Sequence, residues 1–339
     1  MIKSTEKTVC SHKNHKKMVL RPHLLSKIKP LTFKDAVVLW QKTCKLQHKG
    51  ATEAKYDYLI NRHILPSLSE VPLKAITALT INEFTQSKLS TGRIDKGGHL
   101  SPAYVRSMVI IINSVMQFAA NEGLCPTLKS PVYKPSAEKS TPEVLSVEEQ
   151  LLLEDFLLCG TNETKLGILL SLRCGLRIGE ICALKWENID LKNKIIRIDS
   201  TVARVKSENK DKTFLTIDRP KTKASVREIP ITNKLFPVLS EMQNRRKSEY
   251  VISETENFVI PRTYEYRYHK ILSECGVGKR NYHTLRHTFA TRCVQAGVDV
   301  KTLSEILGHG DVSITLNTYV HPSMEMKRMQ IEKVESFSA

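Results

Sequence analysis

The stretch YHTLRHTFATR, residues 282–292, decides how this chain is read. It sets two histidines and two arginines into a short helical pattern whose other positions are largely apolar. His283 and Arg286 stand three apart, so they share one face of a helix. Downstream, LGHG at 307–310 and LNTYVH at 316–321 add His309 and Tyr319. Upstream, CGLRIGEICAL at 174–184 puts Arg177 just after a glycine, at the start of another helix. RPKTKASVREIP at 219–230 puts Lys221 and Lys223 in a turn between strands. Taken singly, each has a plain explanation. An arginine after a glycine is a surface charge, a lysine in a turn touches phosphate, and a tyrosine is a packed ring with a wet hydroxyl. None of these explanations accounts for the order.

The charge balance points the same way. The chain of 339 residues carries 52 Lys+Arg against 35 Asp+Glu, a formal net charge of +17. A positive field of that size favours a polyanion, and nucleic acid above all. The 8 cysteines form no C-x-x-C pair, which argues against a zinc ribbon or a thioredoxin-like site. Several fall in apolar helical patterns and read as buried thiols, in keeping with a reducing cytoplasm. No run approaches the roughly 18 apolar residues of a membrane helix, and the basic N-terminus lacks the apolar core of a signal peptide. Cytoplasmic localisation without a membrane partner is the expectation.

Along the chain, residues 1–30 form a basic tail: either a solvated segment or an arm along phosphates. From Thr32 a helical module of about four helices is predicted over 31–125. TFKDAVVLWQKTCKL starts with a Thr cap and an acid three residues on. KYDYLINRHILPSL stops at Pro66, and TINEFTQSKL repeats the cap with Thr80 and Glu83. SPAYVRSMVIIINSVMQFAANEG is capped by Ser101, takes Pro102 in its first turn and ends at Gly123. Residues 126–144, rich in proline, read as a linker. Beyond them a mixed domain is expected over 145–322. Its helices include SVEEQLLLEDFLLC, TKLGILLSLRCG, RIGEICALKW, NKLFPVLSEMQNRRKSEY and YEYRYHKILSECG. Its three short strands are KIIRID, TFLTID and SVREIPI. A tail follows at 323–339.

The series Arg177, Lys221, His283-x-x-Arg286, His309, Tyr319 resembles the tyrosine recombinase family, the integrases of phages and conjugative transposons. The resemblance covers residues 145–322 by motif and 31–125 by layout. It implies a mainly α fold with a small β-sheet in the C-terminal domain. A helical core-binding (SAM-like) domain and a mixed α+β catalytic domain would form a C-shaped clamp around double-stranded DNA.

It also implies roles. Arg177 and Arg286 clamp the scissile phosphate, since a guanidinium fork matches two anionic oxygens. Each such donor is worth about 3 to 4 kcal/mol of transition-state stabilisation. They stand in for a metal ion, so no cofactor is expected. Tyr319 attacks and forms a 3′-phosphotyrosyl bond. A free tyrosine has a pKa near 10 and needs a base, and the family assigns that part to His283. His309 bonds the phosphate or the attacking oxygen. Lys221 protonates the leaving 5′-oxygen, with Lys223 as the fallback. Glu180, Arg227 and His287 are neighbours that orient these groups or touch DNA. His283 and His287 stand four apart, as in a zinc site, but Thr284 occupies the place where a zincin needs Glu.

Many integrases carry an arm-binding domain ahead of the helical module, and about 30 residues before Thr32 are too few for one. Recombination joins two duplexes by four cleavages, so a homotetramer on synapsed DNA is expected, with a monomer before synapsis. Accessory DNA-bending or directionality proteins fit the same picture. The tail at 323–339 either packs on a neighbouring subunit or folds back on its own domain. A type IB topoisomerase or a catalytically silent DNA-binding regulator would share much of this pattern.

Overall fold

The computed structural model of the chain describes residues 30–44, 50–93, 97–136, 142–206, 213–220 and 222–320, with helical positions at 324, 327, 328, 331 and 332. The basic tail up to residue 29, Lys221 and most of the C-terminal tail lie outside the described residues. The chain divides into two compact units, Met1–Glu138 and Lys139–Ala339, each with its own core.

The first unit is helical. Helix α1 (Phe33–Cys44) starts where expected, with Thr32 N–H donating to Asp35 Oδ2 at 2.9 Å. Helix α2 (Gly50–Leu59) does not stop at Pro66. It passes through a π turn (Ile60–Ile64) into α3 (Leu65–Leu68). The wider turn relieves the clash that a proline ring makes with the carbonyl one turn back. Helix α4 (Ala78–Thr91) also begins earlier than its sequence suggests. Thr77, not Thr80, is the cap, and Thr80 closes the capping box from within the helix. Helix α5 (Pro102–Asn121) is capped by Ser101 and stops before Gly123, whose φ is +72°.

α5 is long and apolar enough to cross a membrane by length and composition, contrary to the expectation that no such run exists. Its apolar face explains the composition. Val105, Met108, Ile112, Val115 and Ala119 are buried against Phe33, Trp40 and Ile64 in the core of the first unit. After α5 the chain stays on this unit: Leu128 and Val132 pack on its core, and Tyr133 N–H donates to Asn82 Oδ1 at 2.9 Å.

The second unit is built round α7 (Glu163–Cys174), in which Leu166, Ile168, Leu169, Leu170 and Leu172 are all buried. Packed on it are α6 (Val147–Leu158), α8 (Ile178–Ala183), α10 (Pro261–Glu274) and α11 (His283–Gln295). Helix α9 (Phe236–Asn244) buries Leu239 and Met242 in the same core.

The β structure forms two small antiparallel sheets among the described residues. β1 (Ile189–Asp190), β2 (Ile195–Ile198) and β5 (Arg227–Pro230) make one, and β3 (Thr201–Lys206) and β4 (Thr213–Asp218) the other. The expected strands became β2, β4 and β5. β1 and β3 are additions, and β3 pairs along its whole length with β4, from Thr201 opposite Asp218 to Lys206 opposite Thr213. Such pairing is a tertiary fact that propensity does not announce. Helices α12 (Val300–Leu307) and α13 (Val312–Tyr319) are capped by Asp299 and Asp311 and close over α11.

Candidate active site

The site grows from the C-terminal end of α7. Gly175 closes that helix at φ +67°, in the left-handed region that favours glycine. A Cβ there would stand 2.7 Å from Phe289 and 2.9 Å from Leu307. The turn aims the Gly175 carbonyl inward and starts α8 at Arg177. Gly308 plays the matching part after α12, also at φ +67°, where a Cβ would stand 3.0 Å from the Arg227 side chain and 3.1 Å from the Ala224 carbonyl. His309 therefore sits in the turn between α12 and α13, not on a helix.

Glu180, in the first turn of α8, organises two arginines. It takes the Arg177 backbone N–H at 2.9 Å and Arg177 Nη1 at 2.7 Å. Arg227, brought from β5, donates Nη1 to Oε1 at 3.1 Å and Nη2 to Oε2 at 2.9 Å. Burial by itself raises the Glu180 carboxyl. The Arg227 bond and charge, helped by Arg177, outweigh it and hold the group down at about 2. Removing the carboxylate charge strands Arg227 in the interior. Glu180→Gln is therefore expected to cost roughly 3 kcal/mol or more, seen as a lowered melting temperature. The sign with pH follows from the same shift. The Glu180 contribution is present above the ordinary carboxylate pKa and is lost as pH falls from there toward 2. The glutamine variant lacks that loss, so melting curves of the two proteins should converge at low pH.

Arg286 lies in the first turn of α11 and is only 1% exposed. That turn is pinned from both sides: Tyr282 OH meets Ser171 Oγ at 2.7 Å, and Asn281 Oδ1 accepts the His283 N–H at 2.9 Å. Arg286 donates Nη1 to the Gly175 carbonyl at 2.7 Å and Nη2 to the Leu307 carbonyl at 2.7 Å. Nη2 also meets His309 Nε2 at 2.8 Å. A guanidinium cannot accept, so Nε2 does, and the proton sits on Nδ1, which donates to Thr315 Oγ1 at 2.8 Å. Every one of these partners is neutral. Burial and the Arg177 charge pull the Arg286 pKa down, yet a guanidinium stays charged, leaving a buried cation with no carboxylate bonded to it.

Tyr319 ends α13 at 8% exposure, its ring among Ala290, Leu303 and Leu307. Burial raises its pKa, opposed by Arg286 and Arg177, so the hydroxyl keeps its proton at neutral pH. Its hydroxyl partner is His287 Nδ1, at 2.8 Å. The His283 ring is exposed and stands edge-on to His287, with centroids 4.7 Å apart. Desolvation, with His287, Arg286 and Arg177 close by, pulls His283 down to about 4, and desolvation with Arg286 does the same to His309. Both are neutral at pH 7.

Arg177, Glu180, Arg227, His283, Arg286, His287, His309 and Tyr319 are thus gathered at one place. Lys223 begins a 3₁₀ turn (Lys223–Ser225) between β4 and β5. Lys221, the expected proton donor, lies outside the described residues. Thr315, which fixes the His309 tautomer, and the carbonyls of Gly175 and Leu307 were not foreseen, because backbone acceptors leave no trace in residue type. Among the described residues no three His, Cys, Asp or Glu side chains gather as a metal set.

Comparison with known proteins shows the family. Residues 149–326, more than half of the chain, match the family described as Phage integrase family. Residues 32–89 match the phage integrase N-terminal SAM-like domain. A tyrosine recombinase XerC-like protein of Caldanaerobacter subterraneus is 28% identical over 328 residues, covering 89% of this chain and 82% of its own. The ICEBs1 integrase of Bacillus subtilis is 24% identical over 336 residues, covering 91% and 84%. The fold is similar to that of the Tn1549 transposon integrase solved with circular intermediate DNA, at TM-score 0.69 and 20% identity over 90% of this chain and 100% of that one. The chain belongs to the phage integrase family and is a tyrosine site-specific recombinase.

Proposed function

We propose that this recombinase serves a mobile element, integrating and excising it in the cytoplasm by cutting and rejoining DNA through Tyr319. The observation that carries this is Arg286: a buried guanidinium held by neutral acceptors, beside a tyrosine hydroxyl, is a seat for an anion that the chain does not itself supply. A scissile phosphate fits it. Arg177 presents the second fork, oriented by Glu180. Tyr319 gives its proton to the assisting base His283 as its oxygen bonds the phosphorus, and the 5′-oxygen leaves, protonated by a lysine between β4 and β5, Lys221 or Lys223. The 3′-phosphotyrosyl bond keeps the energy of the broken phosphodiester, so a 5′-hydroxyl from another duplex reverses the step without ATP. No metal takes part in these steps.

Residues 31–125 would serve as the core-binding domain and 145–322 as the catalytic domain. In the first unit an open cleft is lined by Arg62, His63, Arg93, His99 and two tyrosines, with no carboxylate among its lining residues. Such a lining suits a DNA phosphate, and affinity would fall steeply with salt. Two duplexes and four cleavages imply four protomers on synapsed DNA. Met324 and Ile331, both exposed and both at helical positions, suit packing on a neighbouring protomer. Accessory DNA-bending proteins fit the same assembly.

The test is a supercoiled plasmid carrying the DNA that flanks the gene, incubated with the protein in EDTA and stopped with SDS. A peptide linked to DNA at Tyr319 is the expected product. A link at another residue, or adduct formation that depends on added divalent metal, overturns the assignment.

A further inference from the structure

Of the three histidines around the nucleophile, one alone is bonded to it. His309 is committed on both nitrogens, to Arg286 and to Thr315. The His283 ring makes no hydrogen bond among the described residues and lies exposed beside His287. His287 Nδ1 meets the Tyr319 hydroxyl at 2.8 Å, with ring centroids 5.6 Å apart. The backbone that carries His287 is held on both sides. Arg286 before it binds two carbonyls, and Thr288 after it donates to the Thr284 carbonyl at 2.8 Å while accepting the Leu145 N–H at 2.9 Å.

We propose that His287 is the positioning residue of the nucleophile, holding the Tyr319 hydroxyl through Nδ1 so that attack starts from a His287–Tyr319 pair and leaves His283 unbonded to take the proton as the phenol oxygen bonds phosphorus. This rests on Tyr319 being the attacking residue. When the hydroxyl donates into Nδ1, the proton of His287 sits on Nε2 and a lone pair of the phenol oxygen is left for phosphorus. Small errors in the placement of a reacting atom cost about 10²-fold in rate, which sets the size of the effect. The groups around His287 are His283 and Arg286 from α11 and Tyr319 from α13, so a proton gained by His287 would meet the Arg286 charge. That favours holding over proton storage.

The test has two parts. The first needs no DNA: in protein labelled with ¹⁵N-histidine, Tyr319→Phe should move the Nδ1 resonance of His287 and leave that of His309 in place. An unmoved His287 resonance overturns the proposal. The second uses the plasmid on which the wild type forms its Tyr319 adduct, at saturating protein. His287→Ala should slow adduct formation about 10²-fold with unchanged plasmid binding. His287→Asn, whose Oδ1 stands near the place of Nδ1, should recover most of that loss and keep the wild-type pH profile. Two results count against it: an alanine variant within about twofold of wild type, or an asparagine variant as slow as alanine with a lost pH limb, which would make His287 a proton acceptor. A wild-type link at another residue would overturn the reading of Tyr319, which the ¹⁵N result tells apart from failure of the hydrogen bond.

Discussion

Tyr319→Phe is expected to abolish the SDS-stable DNA adduct and all strand exchange, while DNA binding and fold should persist. The phenyl ring keeps its packing on Ala290, Leu303 and Leu307. What disappears is one hydroxyl and its bond to His287, a loss of about 1 kcal/mol for a typical hydrogen bond. A domain stable by 5 to 15 kcal/mol tolerates that. No neighbour can replace the oxygen, because the hydroxyl partner is an imidazole and the ring is enclosed. Loss of the nucleophile in an enzyme of covalent mechanism costs roughly 10⁶-fold, so the variant should fall below detection. The measurement is adduct yield on a gel beside plasmid retention on a filter. Adduct formation by the phenylalanine protein at the wild-type rate would remove Tyr319 from the chemistry.

The second large effect belongs to Arg286. Arg286→Lys keeps a positive charge in the pocket but replaces a planar fork with a point charge. The lysine cannot hold the Gly175 and Leu307 carbonyls and His309 at once while also presenting a donor to a phosphate. Adduct formation should slow by about 10²- to 10³-fold, the cost of one charge-stabilising donor. Affinity for DNA, which rests on many phosphate contacts, should change little. Lysine is preferred to alanine here because alanine leaves two buried carbonyls unpaired and a cavity, so folding and catalysis would fail together. Single-turnover adduct formation against a binding isotherm separates the two. Parallel loss of binding and cleavage, with an unchanged melting temperature, would mark Arg286 as a DNA-docking group and not a transition-state group.

Much of the fold was legible because local signals agreed with tertiary packing. The Thr32 and Ser101 caps begin helices where their side chains accept N–H groups of the first turn. Pro66 misled because a π turn, itself packed on α5, removed the usual penalty. Thr80 misled because Thr77 caps equally well three residues earlier. β3 was hidden because its stability lies in its partner strand.

By itself the sequence determined the residue types and their order: two arginines, a turn lysine, His-x-x-Arg, a further histidine and a tyrosine, on a basic chain of two parts. Chemistry restricts which side chains can hold and attack a phosphodiester, and that restriction is written in residue identity. Only the tertiary structure decided which atoms meet. It joined Glu180 to both Arg177 and Arg227, set His309 between Arg286 and Thr315, and bonded Tyr319 to His287. The two histidines of LRH and HTL differ by one turn of helix, and periodicity treats them alike. What separates them is where α13 lands on α11, and that is set by the packing of Leu303, Leu307 and Tyr319 against Ala290, contacts between segments distant along the chain.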